Sequence, residues 1–211
     1  MNNVIADITK ELQGVYSKLN ERYYDGKLPE IVISIQSSHK NKAYGWFWKN
    51  EWFKLQVKDV DNPVCETIHE INICPEHFTR SIEETIGTLN HEMVHLYCEI
   101  NGIKDTSNNN VYHNKRFKQE AEKRGLIIEH AKTIGWSKTS LTAELRDFVG
   151  GLDIDKSAFE FCRNKASKAR SAADKAPTTT YKCPNCESVV RGNVGIKVIC
   201  GNCNVEMVSK K

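Results

Sequence analysis

His91, Glu92 and His95 stand in the order His-Glu-x-x-His within residues 89–96, an apolar, helix-forming run. On an α-helix, positions four apart lie on one face, one turn above the other. His91 and His95 can therefore offer two imidazole nitrogens to one metal ion. Glu92 is the next residue and can reach a water beside that ion. Two histidine ligands and a carboxylate base form the zinc-peptidase arrangement: zinc acidifies water and polarises a carbonyl, and the carboxylate takes the proton. A catalytic zinc takes three protein ligands, so one more must come from beyond this helix. His113 lies at the end of a polar loop holding three consecutive Asn, where a second helix begins. Glu120 and Glu122 on that second helix, and His130 after it, compete for the role. Tyr112 and Tyr97 are candidate donors to a developing oxyanion.

A second set of chemistry-bearing residues sits near the C-terminus. Cys183, Cys186, Cys200 and Cys203 follow the pattern C-x2-C-x13-C-x2-C, with Pro184 or Gly201 inside each knuckle. Four thiolates at this spacing suit a closed, tetrahedral structural zinc. Val189, Val190, Val194, Ile196, Val198 and Ile199 supply short strands, so residues 181–208 read as a β zinc ribbon. Cys65, Cys74, Cys98 and Cys162 are scattered and read as small buried hydrophobes. His39, His69, His77 and His130 read as satisfied or solvated side chains.

The elements that must position these residues follow from periodicity. Val4, Ile8, Leu12, Val15, Leu19 and Tyr23 recur at helical spacing and predict a long first helix ending near Asp25-Gly26. Ile31 to Ile35 is a β-branched strand. Residues 43–57 carry Trp46, Phe47, Trp48, Trp52 and Phe53 and predict a strand or hairpin whose aromatics pack in the core or on a sheet face. Residues 67–73 alternate as a third strand. Ser81 caps the metal-site helix, with Glu83 and Glu84 in its first turn, and Asn101-Gly102 stops it. A second helix spans roughly 114–124, and a short one starts near Ser140.

Length and charge bound the rest. The chain has 211 residues, with 39% hydrophobic and 27% charged residues, which suits one sizeable domain plus an appendage. Its net charge of +3 is uneven: residues 1–150 carry net −2 and residues 151–211 net +5. No apolar run approaches the ~20 residues that cross a membrane, and the first residues lack the basic-then-apolar layout of a signal peptide. A cytoplasmic location with no membrane partner is expected. Eight cysteines in such a compartment suggest metal before disulfides. The domains are expected at 1–150, at 181–208, and as a basic, partly helical linker over 151–180 between them.

The ordered motifs carry a family resemblance over roughly residues 5–135. Tyr23-Tyr24-Asp25-Gly26-Lys27-Leu28-Pro29 ends the first helix. Ala43-Tyr44-Gly45-Trp46-Phe47 and Glu70-Ile71-Asn72-Ile73 follow. Then come His91-Glu92-Met93-Val94-His95 and His113-Asn114-Lys115-Arg116-Phe117-Lys118. The chain resembles the SprT-like metallopeptidases, the family that includes Spartan, in the bacterial or phage form with a C-terminal zinc ribbon. The resemblance implies an α+β, zincin-like domain: a long N-terminal helix, a small antiparallel or mixed sheet, the His-Glu-x-x-His helix and a second helix. It assigns the third zinc ligand to His113, making His91, His95 and His113 the catalytic set, with Glu92 as general base and a second, structural zinc in the ribbon. Asn114 stands where the family commonly has Gly; Asn tolerates left-handed backbone better than most residues. Phe117 is expected as a packing residue.

The expected activity is zinc-dependent endopeptidase cleavage of a protein substrate. The family includes DNA-dependent proteases acting on proteins attached to DNA. That implies non-specific DNA contact through Lys182, Arg191, Lys197, Lys210 and Lys211 and the linker cations Lys156, Arg163, Lys165, Lys168, Arg170 and Lys175. The competing reading is a non-catalytic, zinc-dependent DNA- or protein-binding factor on the same scaffold.

Overall fold

A computed structural model describes residues 3–38, 43–56, 64–163 and 177–209. His39 and the cations Lys165, Lys168, Arg170, Lys175, Lys210 and Lys211 lie outside them, as does the Cys65 side chain. The chain divides into two compact units, residues 1–165 and 166–211.

Unit 1 is a mixed α+β layer structure. Helix α1 (Val4–Tyr23) buries Ile8, Leu12, Val15, Tyr16 and Leu19, the stripe its period demands. Strands β1 (Ile31–Ser34), β2 (Gly45–Gln56) and β3 (Val64–Ile73) form a sheet in the order β1-β3-β2. β3 runs parallel to β1 and antiparallel to β2. Ile33, Ile71 and Ile73 face the helices from the buried side of this sheet. Helix α2 (Ile82–Ile100) packs against it, with Ile86, Leu89, Met93, Val94 and Leu96 in the same core. Its start is a full capping box: the Ser81 hydroxyl accepts from the Glu84 N–H, and the Glu84 carboxylate accepts from the Ser81 N–H.

A second sheet follows. Strands β4 (Thr106–Ser107) and β5 (Tyr112–His113) precede helix α3 (Lys115–Glu122). Strands β6 (Leu126–Ala131) and β7 (Gly135–Leu141) then pair as an antiparallel hairpin, and the sheet runs β4-β5-β7-β6. Helix α4 (Ala143–Gly150) is capped by Thr142. The β6–β7 hairpin was not among the predicted elements. Its apolar residues alternate only weakly, and β4 and β5 are two-residue strands that exist only through their partners.

Of the two places expected for the β2 aromatics, core or sheet face, Trp48, Trp52 and Phe53 take the second; they are 53%, 46% and 67% exposed. The register of β2 on β3 shifts between Trp48 and Trp52. Trp52 is nonetheless fixed, because its indole N–H donates to the buried Glu70 carboxylate at 2.7 Å. Cys74 and Cys98 are buried as expected, but Cys162 is exposed. The start of the expected linker belongs to unit 1: Lys156–Glu160 is a 3-10 turn whose Ala158 and Phe159 are buried in the main core, with Phe159 edge-on to Phe78 at 5.7 Å.

Unit 2 holds β8 (Thr178–Lys182), β9 (Val189–Asn193) and β10 (Val208–Ser209) in the order β10-β8-β9, all antiparallel. Its buried cluster is Tyr181, Cys183, Cys200 and Met207. Among the described residues, no helix is long and apolar enough to cross a membrane.

Candidate metal centres

Helix α2 places His91, Glu92 and His95 against a cleft of about 1480 Å³ in unit 1. The cleft is walled by Tyr44 and by Gly45 to Lys49 of β2, an edge strand among the described residues, and by Ser137 to Leu141 of β7. His113 joins the pair from β5. Its Nε2 lies 3.1 Å from His91 Nε2 and 3.1 Å from His95 Nε2. A tetrahedral zinc with bonds of about 2.0–2.1 Å needs ligand nitrogens about 3.3 Å apart, so the three imidazoles fit one ion.

The far nitrogens explain why these three point inward. His95 Nδ1 donates to Asp105 Oδ2 at 2.6 Å, and His113 Nδ1 donates to the Ile134 carbonyl at 3.2 Å. The Thr139 hydroxyl donates to the Ser137 carbonyl at 3.3 Å, so it accepts from His91 Nδ1 at 2.7 Å. Each acceptor fixes the proton on Nδ1 and leaves the Nε2 lone pair free. Beneath them lies Phe117, fully buried, with its ring 4.6 Å from those of His91 and His95 and 4.7 Å from that of His113. Burial holds the His91 imidazole well below its usual range and lowers His113 to about 4, the neighbouring His95 adding to both. These imidazoles resist protonation and stay available as ligands. Burial pushes the Glu92 carboxyl up to about 7.

The tie to Ile134 has a backbone requirement. The His113 N–H also donates to the Ile134 carbonyl, at 3.0 Å, and His113 pairs with Gly135. Gly135 has φ +71°, and a Cβ there would stand 2.2 Å from the His113 carbonyl oxygen. Only glycine fits.

The other candidates go elsewhere. Glu120 pairs with Lys123 and Arg124, and Glu122 pairs with Lys118. His130 Nε2 meets the Tyr112 hydroxyl at 3.2 Å. Neither oxyanion candidate lines the cleft: Tyr112 is engaged with His130, and Tyr97 carries the Arg124 guanidinium 3.5 Å over its ring. Asn114 is not left-handed. Its φ is −91°, and its side chain caps α3, accepting from the Arg116 and Phe117 N–H groups. Asp105, Thr139 and Ile134 were not legible in the sequence, because their roles depend on hydrogen bonds between segments 10 to 48 residues apart.

In unit 2 the four thiols converge, with Cys186 Sγ and Cys200 Sγ 3.5 Å apart and one ligand atom of each cysteine within 4.8 Å of the others. Two knuckles repeat one backbone pattern. Cys183 N–H donates to Ser188 O and Glu187 N–H to Cys183 O; Cys200 N–H donates to Val205 O and Asn204 N–H to Cys200 O. Glu187 and Asn204 take matching left-handed conformations, φ 62° and 53°. Four thiols so placed could close around a zinc and form a ribbon.

No curated protein and no solved structure matches the chain. A family model, that of the SprT-like family, matches residues 12–133, from α1 through α2, His113 and α3. The match takes in more than half of the sequence and all three converging histidines: the chain belongs to the SprT-like family.

Proposed function

We propose that the chain is a zinc-dependent endopeptidase of zincin-like architecture, with Glu92 as general base. The observation that carries this reading is the convergence of three imidazole Nε2 atoms beside Glu92 at the wall of an elongated cleft. His91, His95 and His113 would hold the ion. Zinc bound there supplies Lewis acidity towards a peptide carbonyl and towards water. Glu92 takes the proton of the attacking water on its carboxylate and passes it to the leaving amine. Its burial keeps the carboxyl near neutrality in proton affinity, which suits both transfers. The cleft accepts an extended segment, since it runs along α2 from Glu83 to Glu99.

Cys183, Cys186, Cys200 and Cys203 would hold a second, structural zinc in a C-terminal ribbon. The protein acts in the cytoplasm on protein substrates, and non-specific DNA contact through the basic C-terminal third brings it to DNA-bound ones. The net +5 of residues 151–211 supports that contact. Some of this charge is already answered within the module, where Lys182 faces Glu187 and Lys197 faces Glu206.

The test is cleavage of a DNA-binding protein, and self-cleavage, with and without single-stranded DNA. Wild type and Glu92→Gln are compared at matched zinc content. Cleavage by wild type alone is expected. Equal cleavage by both would sink the role of Glu92. Cleavage by neither would leave a non-catalytic, zinc-dependent binding factor as the function.

A further inference from the structure

α2 fixes His91 and His95 relative to each other, because both ride on one rigid helix. His113 comes from β5, 18 residues after His95 and beyond a loop with three consecutive left-handed residues, Asn108, Asn109 and Asn110. Such a loop cannot by itself hold an imidazole to within a few tenths of an ångström. Something must join the two segments.

Two residues do so. Asp105 is 9% exposed and works in both directions. Its Oδ2 accepts from His95 Nδ1 at 2.6 Å, and its carbonyl accepts from the Asn114 N–H at 2.9 Å. Asn114 returns the connection. Its Nδ2 donates to the Lys104 carbonyl at 2.8 Å, and its Oδ1 accepts from Arg116 N–H at 2.7 Å and Phe117 N–H at 3.3 Å. One carboxamide thus ties residue 104 to the first turn of α3, and α3 carries the ring that underlies all three imidazoles. We infer that Asp105 and Asn114 form a clamp that positions His113 against the helix-borne pair. Asn is the side chain that serves, since it offers an acceptor for the helix start and a donor for Lys104 O together. Gly would keep the backbone bond alone. Asp would keep the cap, lose the donor, and set a carboxylate against a carbonyl.

The inference rests on the metal-centre reading above, and the experiment separates the two. Full-length wild type, Asp105→Asn, Asn114→Asp, Asn114→Ala and the double variant Asp105→Asn/Asn114→Asp are stripped and titrated with zinc against a chromophoric chelator. They are titrated again with cobalt(II), whose visible bands distinguish an imidazole site from a thiolate site. Melting temperatures of the metal-free forms are recorded alongside. A clamp predicts that Asp105→Asn and Asn114→Asp each weaken the imidazole site by roughly 10- to 100-fold. The double variant should lose no more than the weaker-binding single variant, because either change opens the same clamp. Asn114→Asp should melt near wild type, since the cap survives. The thiolate site should bind alike throughout. Native affinity in Asn114→Asp, with Asn114→Ala weakened only in step with its melting temperature, would reduce Asn114 to a helix cap and overturn the clamp. Additive losses in the double variant would overturn it too. Wild type that takes up metal at the thiolates alone would overturn the metal-centre reading and the clamp with it.

Discussion

The two candidate metal sites of this chain are built in opposite ways. The imidazole set stands on a large core: α1, α2, α3, both sheets of unit 1 and the 3-10 turn over Lys156–Glu160 contribute to one buried cluster. Each imidazole is oriented by an acceptor on a different segment, and that core is built from side chains other than the three imidazoles. In unit 2 the buried cluster is four residues, and two of them, Cys183 and Cys200, are themselves prospective ligands. Val189, Val194, Ile199 and Val208 are all more than half exposed there. A module of this size cannot offset its chain entropy by burial alone. In unit 1 the fold makes the site; in unit 2 the site must make the fold.

The comparison is sharpest at Glu92, since among the described residues only the imidazole set has buried carboxylates beside it. Glu92→Gln keeps the shape and removes the base. A loss of about 10²- to 10⁴-fold in peptide cleavage is expected, with metal content unchanged. Assay of purified, zinc-matched protein checks this, and retained cleavage would erase the catalytic distinction between the two sites.

Chelation should divide the molecule next. Stripping metal should abolish hydrogen-exchange protection in β8–β10 and leave the core amides of α1 and α2 protected. Cys200→Ser should act likewise on unit 2. His113→Ala should lower the bound zinc from two ions to one without melting anything. A single transition spanning both units would break the contrast.

Phe117→Ala probes whether the core supports the imidazoles. A cavity beneath three rings should cost about 3–5 kcal/mol of unfolding free energy, read by denaturant titration of the metal-free chain. It should also weaken zinc at the imidazoles alone. The smallest expected effect is at Gly135. Alanine there must relieve a 2.2 Å contact with the His113 carbonyl at φ +71°, at a cost of about 1–3 kcal/mol. Zinc affinity at the imidazole set should fall while the thiolate set is unmoved. Native affinity would show that the Ile134–Gly135 backbone does not place His113.

Much of this was legible residue by residue. Ser81 is the predicted cap of α2, with Glu84 in its first turn completing a capping box, and α1 buries most of the predicted stripe. His113, one of four candidates in the sequence, comes within reach of His91 and His95, with the Phe117 ring 4.7 Å from its own. Other features were not, for identifiable reasons. Trp48 and Trp52 could be read as core or sheet-face residues but not as one of the two, because aromatic content is a local property, whereas exposure depends on what packs over the sheet. Asn114 was expected to differ from Gly through its backbone, but its side chain does the work, and a cap with a tie to Lys104 cannot be seen without knowing what lies 10 residues upstream in space.

Sequence by itself determined the chemistry on offer. Helical spacing puts His91 and His95 on one face, and paired C-x2-C knuckles repeat one local backbone pattern. Both are short-range properties, set by dihedrals and neighbours. Only the tertiary structure decided which of His113, Glu120, Glu122 and His130 meets the pair, which acceptor fixes each ring, and which tyrosines stay out of the cleft. Those outcomes depend on sheet register, on Gly135 beside His113, and on hydrogen bonds that form only after distant segments have packed.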